Sequence, residues 1–260
     1  MISYDNALII SDIHLTPAYP YTAKRFIEFC ENEARTTQAV FIIGDLFEFW
    51  VGDDAHLHTP FHLDIAKHLK AVTDSGVAVY FMAGNRDFML GESFKQLAHW
   101  QVIPDPSLIS IAGEKWLLTH GDALCTADPA YQFYRNLTRF KWLQKLFMRV
   151  PISYRKKMAE RLRRRATMKH QRKQYFDLAH ANIKGDVTLE ACAKMTKDMG
   201  CTKLIHGHTH RPKYHEESYD NQTWQRWVLS DWDLDHPEML PHASAFRIDK
   251  SGLKVVNLIA

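Results

Sequence analysis

The sequence predicts an α/β fold of layered strands and helices, on three observations. Short apolar runs at Ala7 to Ile10, Ala39 to Ile43, Val77 to Ala83, Trp116 to Thr119 and Leu204 to Ile205 read as buried strands. Helical stretches near Tyr21 to Ala34, Pro60 to Ser75, Gly91 to Trp100 and Thr188 to Met199 alternate with them, as in α/β layers whose crossovers are right-handed. The C-terminal part changes character: Trp224 to Leu229, Ala243 to Ile248 and Leu253 to Ile259 read as strands joined by loops, an antiparallel edge.

Each of the first five runs leads into a short polar motif. In order these are Asp12-Ile13-His14, Gly44-Asp45, Gly84-Asn85-Arg86-Asp87, His120-Gly121-Asp122 and Gly207-His208-Thr209-His210. On extended backbone, residues two apart point the same way, so Asp12 with His14, and His208 with His210, should each offer neighbouring donors. Carboxylate, imidazole and amide oxygen together suit divalent ions of borderline hardness such as manganese, iron or zinc, whereas an all-oxygen set would suit magnesium or calcium. Taken singly each motif is ordinary, since a strand-end Asp or Asn is commonly a turn former or helix cap and paired histidines are often core residues. Five such motifs in order at five strand ends point to one dinuclear metal site assembled from distant loops.

With 260 residues, 46% of them hydrophobic, and no Pro, Gly or Ser-rich linker, the chain reads as one domain over residues 1–260. Cys30, Cys125, Cys192 and Cys201 are widely spaced and read as reduced packing residues of a cytosolic protein. The N-terminus, Met1 to Asn6, lacks the basic start and apolar stretch of a secretory signal. No apolar run approaches the roughly eighteen residues needed to span a bilayer, so membrane contact is expected to be peripheral. No internal repeat is present.

The net charge of +3 hides a segregation. Residues Arg139 to Lys173 hold fourteen Lys and Arg against one acid, Glu160, leaving nineteen basic and twenty-nine acidic residues elsewhere. Trp142, Leu143, Leu146, Phe147 and Val150 recur there at helical spacing, and Pro151 is expected to end that helix. Either this stripe packs the insert on the main domain, or it meets an amphiphile while the basic residues meet anionic groups such as lipid headgroups, a diphosphate or nucleic-acid phosphates. On a continuous helix Arg163, Ala166, His170 and Lys173 would share one face, turned toward the site or merely solvated.

The five motifs resemble those of the calcineurin-like metallophosphoesterases, whose pattern runs D-x-H, G-D, G-N-H-[DE], H and G-H-x-H. Arg86 replaces the usual His, and the run Arg86-Asp87-Phe88-Met89-Leu90-Gly91 is similar to the UDP-2,3-diacylglucosamine diphosphatases of lipid A synthesis. So are Gly44-Asp45-Leu46-Phe47-Glu48, Gly52-Asp53-Asp54, His120 to Thr126 and Ile205 to Pro212. The resemblance spans nearly the whole chain and implies a four-layered αββα sandwich with a helical, basic cap insertion at residues 129–185.

What the resemblance implies for the site is specific. Asp12, His14, Asp45 and His210 would hold one Mn2+, and Asp45, Asn85, His120 and His208 the other, Asp45 bridging; other divalent transition metals would serve. Asn85, Arg86 and His120 would be catalytic, and Asn85, Arg86, Asp128, His170, Lys173 and His208 would contact substrate, although Ala166 and His170 stand where relatives often have Ser and Asn. A metal-bridged hydroxide would attack the uridine-side phosphorus of UDP-2,3-diacylglucosamine, giving UMP and 2,3-diacylglucosamine 1-phosphate. The implied enzyme is a cytoplasmic monomer, peripheral on the inner face of the inner membrane, with a lipid-linked UDP-sugar as partner and no nucleic acid.

Arg86 suits transition-state stabilisation because a planar guanidinium holds two phosphoryl oxygens at once; its alternative is a salt bridge to an acid such as Asp87. Asp87 and Asp122 are candidates for orienting the histidines. His206 either approaches the product phosphate or packs beneath the site, and Asp53 and Asp54 stay open. No G-x-S-x-G or P-loop motif suggests covalent or nucleoside-triphosphate chemistry. Two rival classes remain: a metallophosphodiesterase acting on nucleic acid or cyclic nucleotides, and a non-catalytic scaffold, which would be expected to have lost ligands.

Overall fold

The computed structural model describes residues 1–162 and 185–259. In chain order its elements begin with β1 (Ile2–Tyr4), β2 (Ala7–Ile10), α1 (Pro20–Glu31), β3 (Ala39–Ile43), α2 (Asp53–His56), α3 (Pro60–Asp74) and β4 (Ala78–Met82). There follow α4 (Glu92–Ala98), β5 (Gln101–Val102), β6 (Ser107–Ile111), β7 (Glu114–Thr119), α5 (Pro129–Arg139), α6 (Lys141–Phe147) and a helix α7 over 152–162. After the gap come α8 (Leu189–Met199), β8 (Lys203–His206), β9 (Lys213–Tyr219), β10 (Gln222–Val228), β11 (Ser244–Asp249) and β12 (Gly252–Asn257).

Two six-stranded sheets result, ordered β12-β11-β2-β3-β4-β5 and β1-β6-β7-β8-β10-β9. In the first, β2 to β5 are parallel and β11 and β12 add an antiparallel edge. In the second, β7, β8 and β10 are parallel neighbours and β9 is antiparallel to β10. The expected antiparallel edge is thus split. Trp224 to Leu229 lies in the other sheet, where β10 forms a hairpin with β9 and pairs in parallel with β8.

Strand alternation builds the layers. Leu8, Ile10, Val40, Ile42, Val79 and Phe81 turn outward to pack on α1, α3 and α4, whereas Ala7, Ile9, Phe41, Ile43, Tyr80 and Met82 turn inward to meet Ile109, Ile111, Trp116, Leu118 and Ile205 of the second sheet. Leu117, Leu204 and Trp224 cover that sheet's far side against Cys192 and Ala193 of α8. Helices, sheet, sheet and helix make the four-layered αββα sandwich, each large apolar side chain buried contributing roughly 1.5–3 kcal/mol. All four cysteines are free and buried, as packing residues should be.

Local sequence sets the helix limits. α1 and α3 each start on a proline, whose missing N–H costs nothing in the first turn. Their buried faces, Thr22, Ala23, Phe26, Phe29, Cys30 and His62, Ile65, Ala66, Leu69, Val72, follow the three-to-four spacing of a helix. The start of α1 is capped from a distance by Asp235, which accepts from the Tyr21 and Thr22 amides at 3.1 and 2.9 Å.

The insert leaves β7 through α5, α6 and α7. α5 and α6 bury no residue: of the apolar stripe Trp142, Leu146 and Val150 are exposed and Leu143 and Phe147 half-buried, and Phe133 and Phe140 beside it are exposed as well. α6 ends at Phe147, and the Pro151 carbonyl instead accepts the Tyr154 and Arg155 amides that open α7. Arg163, Ala166, His170 and Lys173 lie outside the described residues. No described helix is long and apolar enough to cross a membrane.

Candidate metal centre

Parallel pairing of β2, β3 and β4 brings Asp12, Asp45 and Asn85 to one sheet edge, and parallel pairing of β7 and β8 brings His120 and the His206 to His210 segment to the facing edge. Backbone bonds lock these ends together: the Asp12 amide donates to the Gly44 carbonyl at 3.1 Å, Gly207 to His120 at 3.0 Å and Trp232 to Asp12 at 3.1 Å. Ligand groups at the carboxyl ends of parallel strands are the usual arrangement of α/β sites.

The backbone there is not extended. Asp12, His14, Asp45, His208 and His210 have φ of 54°, 55°, 54°, 66° and 52°, a left-handed conformation costing a residue with a side chain roughly 1–2 kcal/mol. Alternation along a strand is therefore the wrong account of why these side chains gather. Left-handed turns aim Asp12 and His14 together and separate His208, beside His120, from His210, beside His14. Strain of this kind concentrates at functional sites because the surrounding fold must enforce it. Two glycines make room: a Cβ on Gly44 would meet the His120 ring and Gly84 Cα at 2.8 Å, and one on Gly207 would strike the Asp12 carboxylate and Ser11 Cβ at 2.8 Å.

Donor atoms converge in two groups, Asp12 with His14 and His210, and Asp12 with Asp45 and His120, each within 4.8 Å. His14 Nε2 lies 3.3 Å from His210 Nε2, which is 3.4 Å from Asp12 Oδ1. His120 Nε2 lies 3.0 Å from Asn85 Oδ1 and 3.7 Å from Asp45 Oδ1. The His120 Nδ1 proton goes to the Ile43 carbonyl at 3.0 Å, so in the neutral ring Nε2 and Asn85 Oδ1 are two acceptors face to face. A proton on Nε2 or a metal cation between them resolves that repulsion. Asp12 Oδ1 and His14 Nδ1 are buried beside charged groups without a well-formed hydrogen bond among the described residues, His210 Nε2 lying 3.4 Å from the first and Glu48 Oε2 3.8 Å from the second, another sign of a charge-binding site. The donor set fits divalent ions of the kind the sequence suggests.

The field points the same way. Burial alone would push the His120 and His210 pKa values down, yet Asp45, Asp12, Asp122 and Asp105 raise His120 to about 9, and Asp12 and Asp231 raise His210 to about 10. Carboxylates that hold protons on buried imidazoles favour any cation, and a metal would displace those protons on binding. His208 is pushed down to about 3 by burial and by His120.

Arg86 reaches Glu48 at 2.5 Å and Asp45 Oδ2 at 3.4 Å, at the partly exposed mouth of the cluster. It does not pair with Asp87, whose buried carboxylate accepts the amides of Leu46 at 2.7 Å and Gly84 at 2.9 Å and so ties the loops of Asp45 and Asn85 together. Asp122 accepts from Tyr131 at 3.2 Å and Arg135 at 2.8 Å, anchoring α5. Neither acid hydrogen-bonds a candidate ligand histidine. His206 is buried between the Gly207 carbonyl at 2.8 Å and Arg226 at 3.0 Å, a packing role. Asp128 accepts from the Tyr131 amide at 3.1 Å at the start of α5.

Two neighbours of the cluster, Asp231 and Tyr131, escaped the sequence motifs, and a third, Glu48, stood in one without a role. Asp231 Oδ2 faces His210 Nδ1 at 3.1 Å, with His242 Nε2 at 3.2 Å from its other oxygen, and it follows the apolar run of β10 just as the other acids follow theirs. Glu48 supports Arg86, and Tyr131 stacks on His208 at 6.0 Å.

The sequence profile of the calcineurin-like phosphoesterases matches residues 6–212, which contain all five motifs. The chain is 41% identical over 243 residues to a UDP-2,3-diacylglucosamine hydrolase of Ralstonia nicotianae, covering 92% of this chain and 87% of that protein. It is 41% identical over 232 residues to the hydrolase of that name from Aromatoleum aromaticum, covering 89% and 91%, and 38% identical over 248 residues to that from Xanthomonas oryzae pv. oryzae, covering 95% and 97%. A donor cluster on two facing sheet edges, matched along the chain by a family of hydrolases, has one reading: this chain belongs to the calcineurin-like phosphoesterases, in the branch of the UDP-2,3-diacylglucosamine hydrolases.

Proposed function

We propose that the chain hydrolyses the diphosphate of UDP-2,3-diacylglucosamine to UMP and 2,3-diacylglucosamine 1-phosphate, with two Mn2+ as cofactor. The observation that carries this reading is Arg86 beside the converging donors of Asp12, His14, Asp45, His120 and His210, in a chain about 40% identical to hydrolases of that name. Asp12, His14, Asp45 and His210 would hold one ion and Asp45, Asn85, His120 and His208 the other. Such a pair acidifies water and offsets the charge gathering on phosphoryl oxygens.

The chain's own groups do the rest. The left-handed turns at Asp12, His14, Asp45, His208 and His210 fix the donors before substrate arrives, so little reorganisation is left for the reaction. Arg86, held by Glu48 and Asp45, can turn two N–H groups to the phosphoryl oxygens as charge builds, with Asn85 and His120 beside it. Permanently charged, Arg86 supplies no proton. A diphosphate needs none, because its leaving group is a phosphate anion. Asp128, His170, Lys173 and His208 are assigned to substrate contact.

Exposed Phe133, Phe140, Trp142 and Leu146 beside Lys141, Lys145 and Arg149 suit acyl chains and an anionic lipid surface, which supports peripheral work at a membrane; the proposed enzyme is a monomer at the cytoplasmic face of the inner membrane. The test is turnover of UDP-2,3-diacylglucosamine against UDP-N-acetylglucosamine and an aryl phosphodiester; preference for either control overturns the assignment. In oxygen-18 water the label should enter UMP, and label in the lipid phosphate would refute attack at the uridine side.

A further inference from the structure

The Gly52-Asp53-Asp54 motif joins the insert to the loop of Arg86. Arg155 of α7 is only 1% exposed, rare for an arginine and a contrast with the solvated charges around it. Its Nη1 donates to Asp54 Oδ1 at 3.0 Å and to the Val51 carbonyl, its Nη2 to Asp54 Oδ2, and its Nε to the Val150 carbonyl at 2.9 Å. A Cβ on Gly52, where φ is +117°, would meet Met148 at 2.6 Å and Arg155 at 2.7 Å, so a glycine is what lets the insert seat.

Asp53, next in the chain, faces the other way. Its Oδ1 accepts from Trp50 Nε1 and the Gly91 amide, both at 2.9 Å, and its Oδ2 from the amides of Ser93 at 2.9 Å and Phe94 at 3.1 Å. Trp50 in turn donates its amide to the Arg86 carbonyl at 2.9 Å. One pair of adjacent acids therefore holds both the insert and the segment that follows Arg86. Breaking the Arg155 side leaves a buried guanidinium short of its counter-charge, which proteins tolerate poorly.

We infer that Asp54 and Arg155 form a latch that fixes the insert in register with Arg86, making both positioning residues for the acyl-bearing end of the substrate. The substrate half of this inference rests on the function proposed above; the latch does not. Hydrogen exchange on Asp54→Asn and Arg155→Met tests the latch, with Asp54→Asn, a change at a partly exposed acid, keeping the fold. Amides of 152–162 should exchange at least about tenfold faster while β2 and β3 keep wild-type rates, as local opening requires. Unchanged exchange in 152–162 overturns the latch.

Kinetics test the second half. For both variants kcat/KM on the diacylated nucleotide should fall about tenfold, mainly through KM, with an aryl phosphodiester turned over as by wild type. Equal losses on both substrates would overturn the positioning role. Wild-type enzyme that ignores the diacylated nucleotide would instead refute the proposed function, the exchange result still deciding the latch.

Discussion

Replacing Gly44 by Ala separates backbone strain from site geometry, because Gly76 provides a matched control. The two glycines have φ of +97° and +93°, but a Cβ at Gly76 meets nothing within 4 Å, whereas at Gly44 it meets the His120 ring and Gly84 Cα. Gly76→Ala should cost only the left-handed penalty of about 1 kcal/mol. For a chain of this length that lowers Tm by roughly 2–4 °C and leaves turnover unchanged. Gly44→Ala adds the hydrogen bond from His120 to Ile43, about 1 kcal/mol, and a forced shift of packed backbone, about 1–3 kcal/mol. The sum, about 3–5 kcal/mol, lowers Tm by upwards of roughly 6 °C. Displacing His120 by even an ångström should cut kcat about 100-fold. Thermal unfolding and steady-state kinetics on both variants measure this; equal Tm losses, or an active Gly44→Ala enzyme, would refute the argument from close packing.

Four further outcomes are expected. Asp45→Asn should abolish turnover with Tm near wild type, and substantial residual activity would remove it from the bridging role. Asp231→Asn should weaken Mn2+ binding about 10-fold to 100-fold by calorimetry, because His210 loses the partner that orients it; unchanged affinity would make Asp231 structural. Arg86→Lys should lower kcat about 100-fold with little change in KM, since an ammonium cannot present two parallel N–H bonds, and a change confined to KM would contradict that role. The last concerns pH. Burial would raise the Glu217 carboxyl, but the Arg226 hydrogen bonds outweigh it and hold its pKa below the ordinary value. That pair therefore stabilises the fold above about pH 4.3 and the contribution is lost as pH falls through the depressed value, so Glu217→Gln should flatten the acid limb of Tm against pH.

The sequence made the chemistry more legible than its geometry. Apolar runs ending in Asp, Asn or His marked five strand ends correctly, because buried strands and metal ligands are each restrictive in residue type. β1, β6 and β9 carried weaker signals: β6 alternates buried with half-buried residues and β9 is largely exposed, so neither is a continuous apolar run. The left-handed turns at Asp12, His14, Asp45, His208 and His210 could not be read, since nothing in Asp12-Ile13-His14 distinguishes them from extended chain. Asp231 and Arg155 went unrecognised, and Asp53 was singled out without a role, for a different reason. Most of their partners lie far off in sequence, and only the packed fold shows that such a charged residue is bonded rather than solvated.

Metal content set against turnover tests the central claim most directly. Chelated enzyme titrated with Mn2+ should take up two ions per chain and regain hydrolysis of UDP-2,3-diacylglucosamine in step with occupancy. Full turnover by enzyme stripped of transition ions, or uptake that Asp12→Ala and His120→Ala leave untouched, would contradict it.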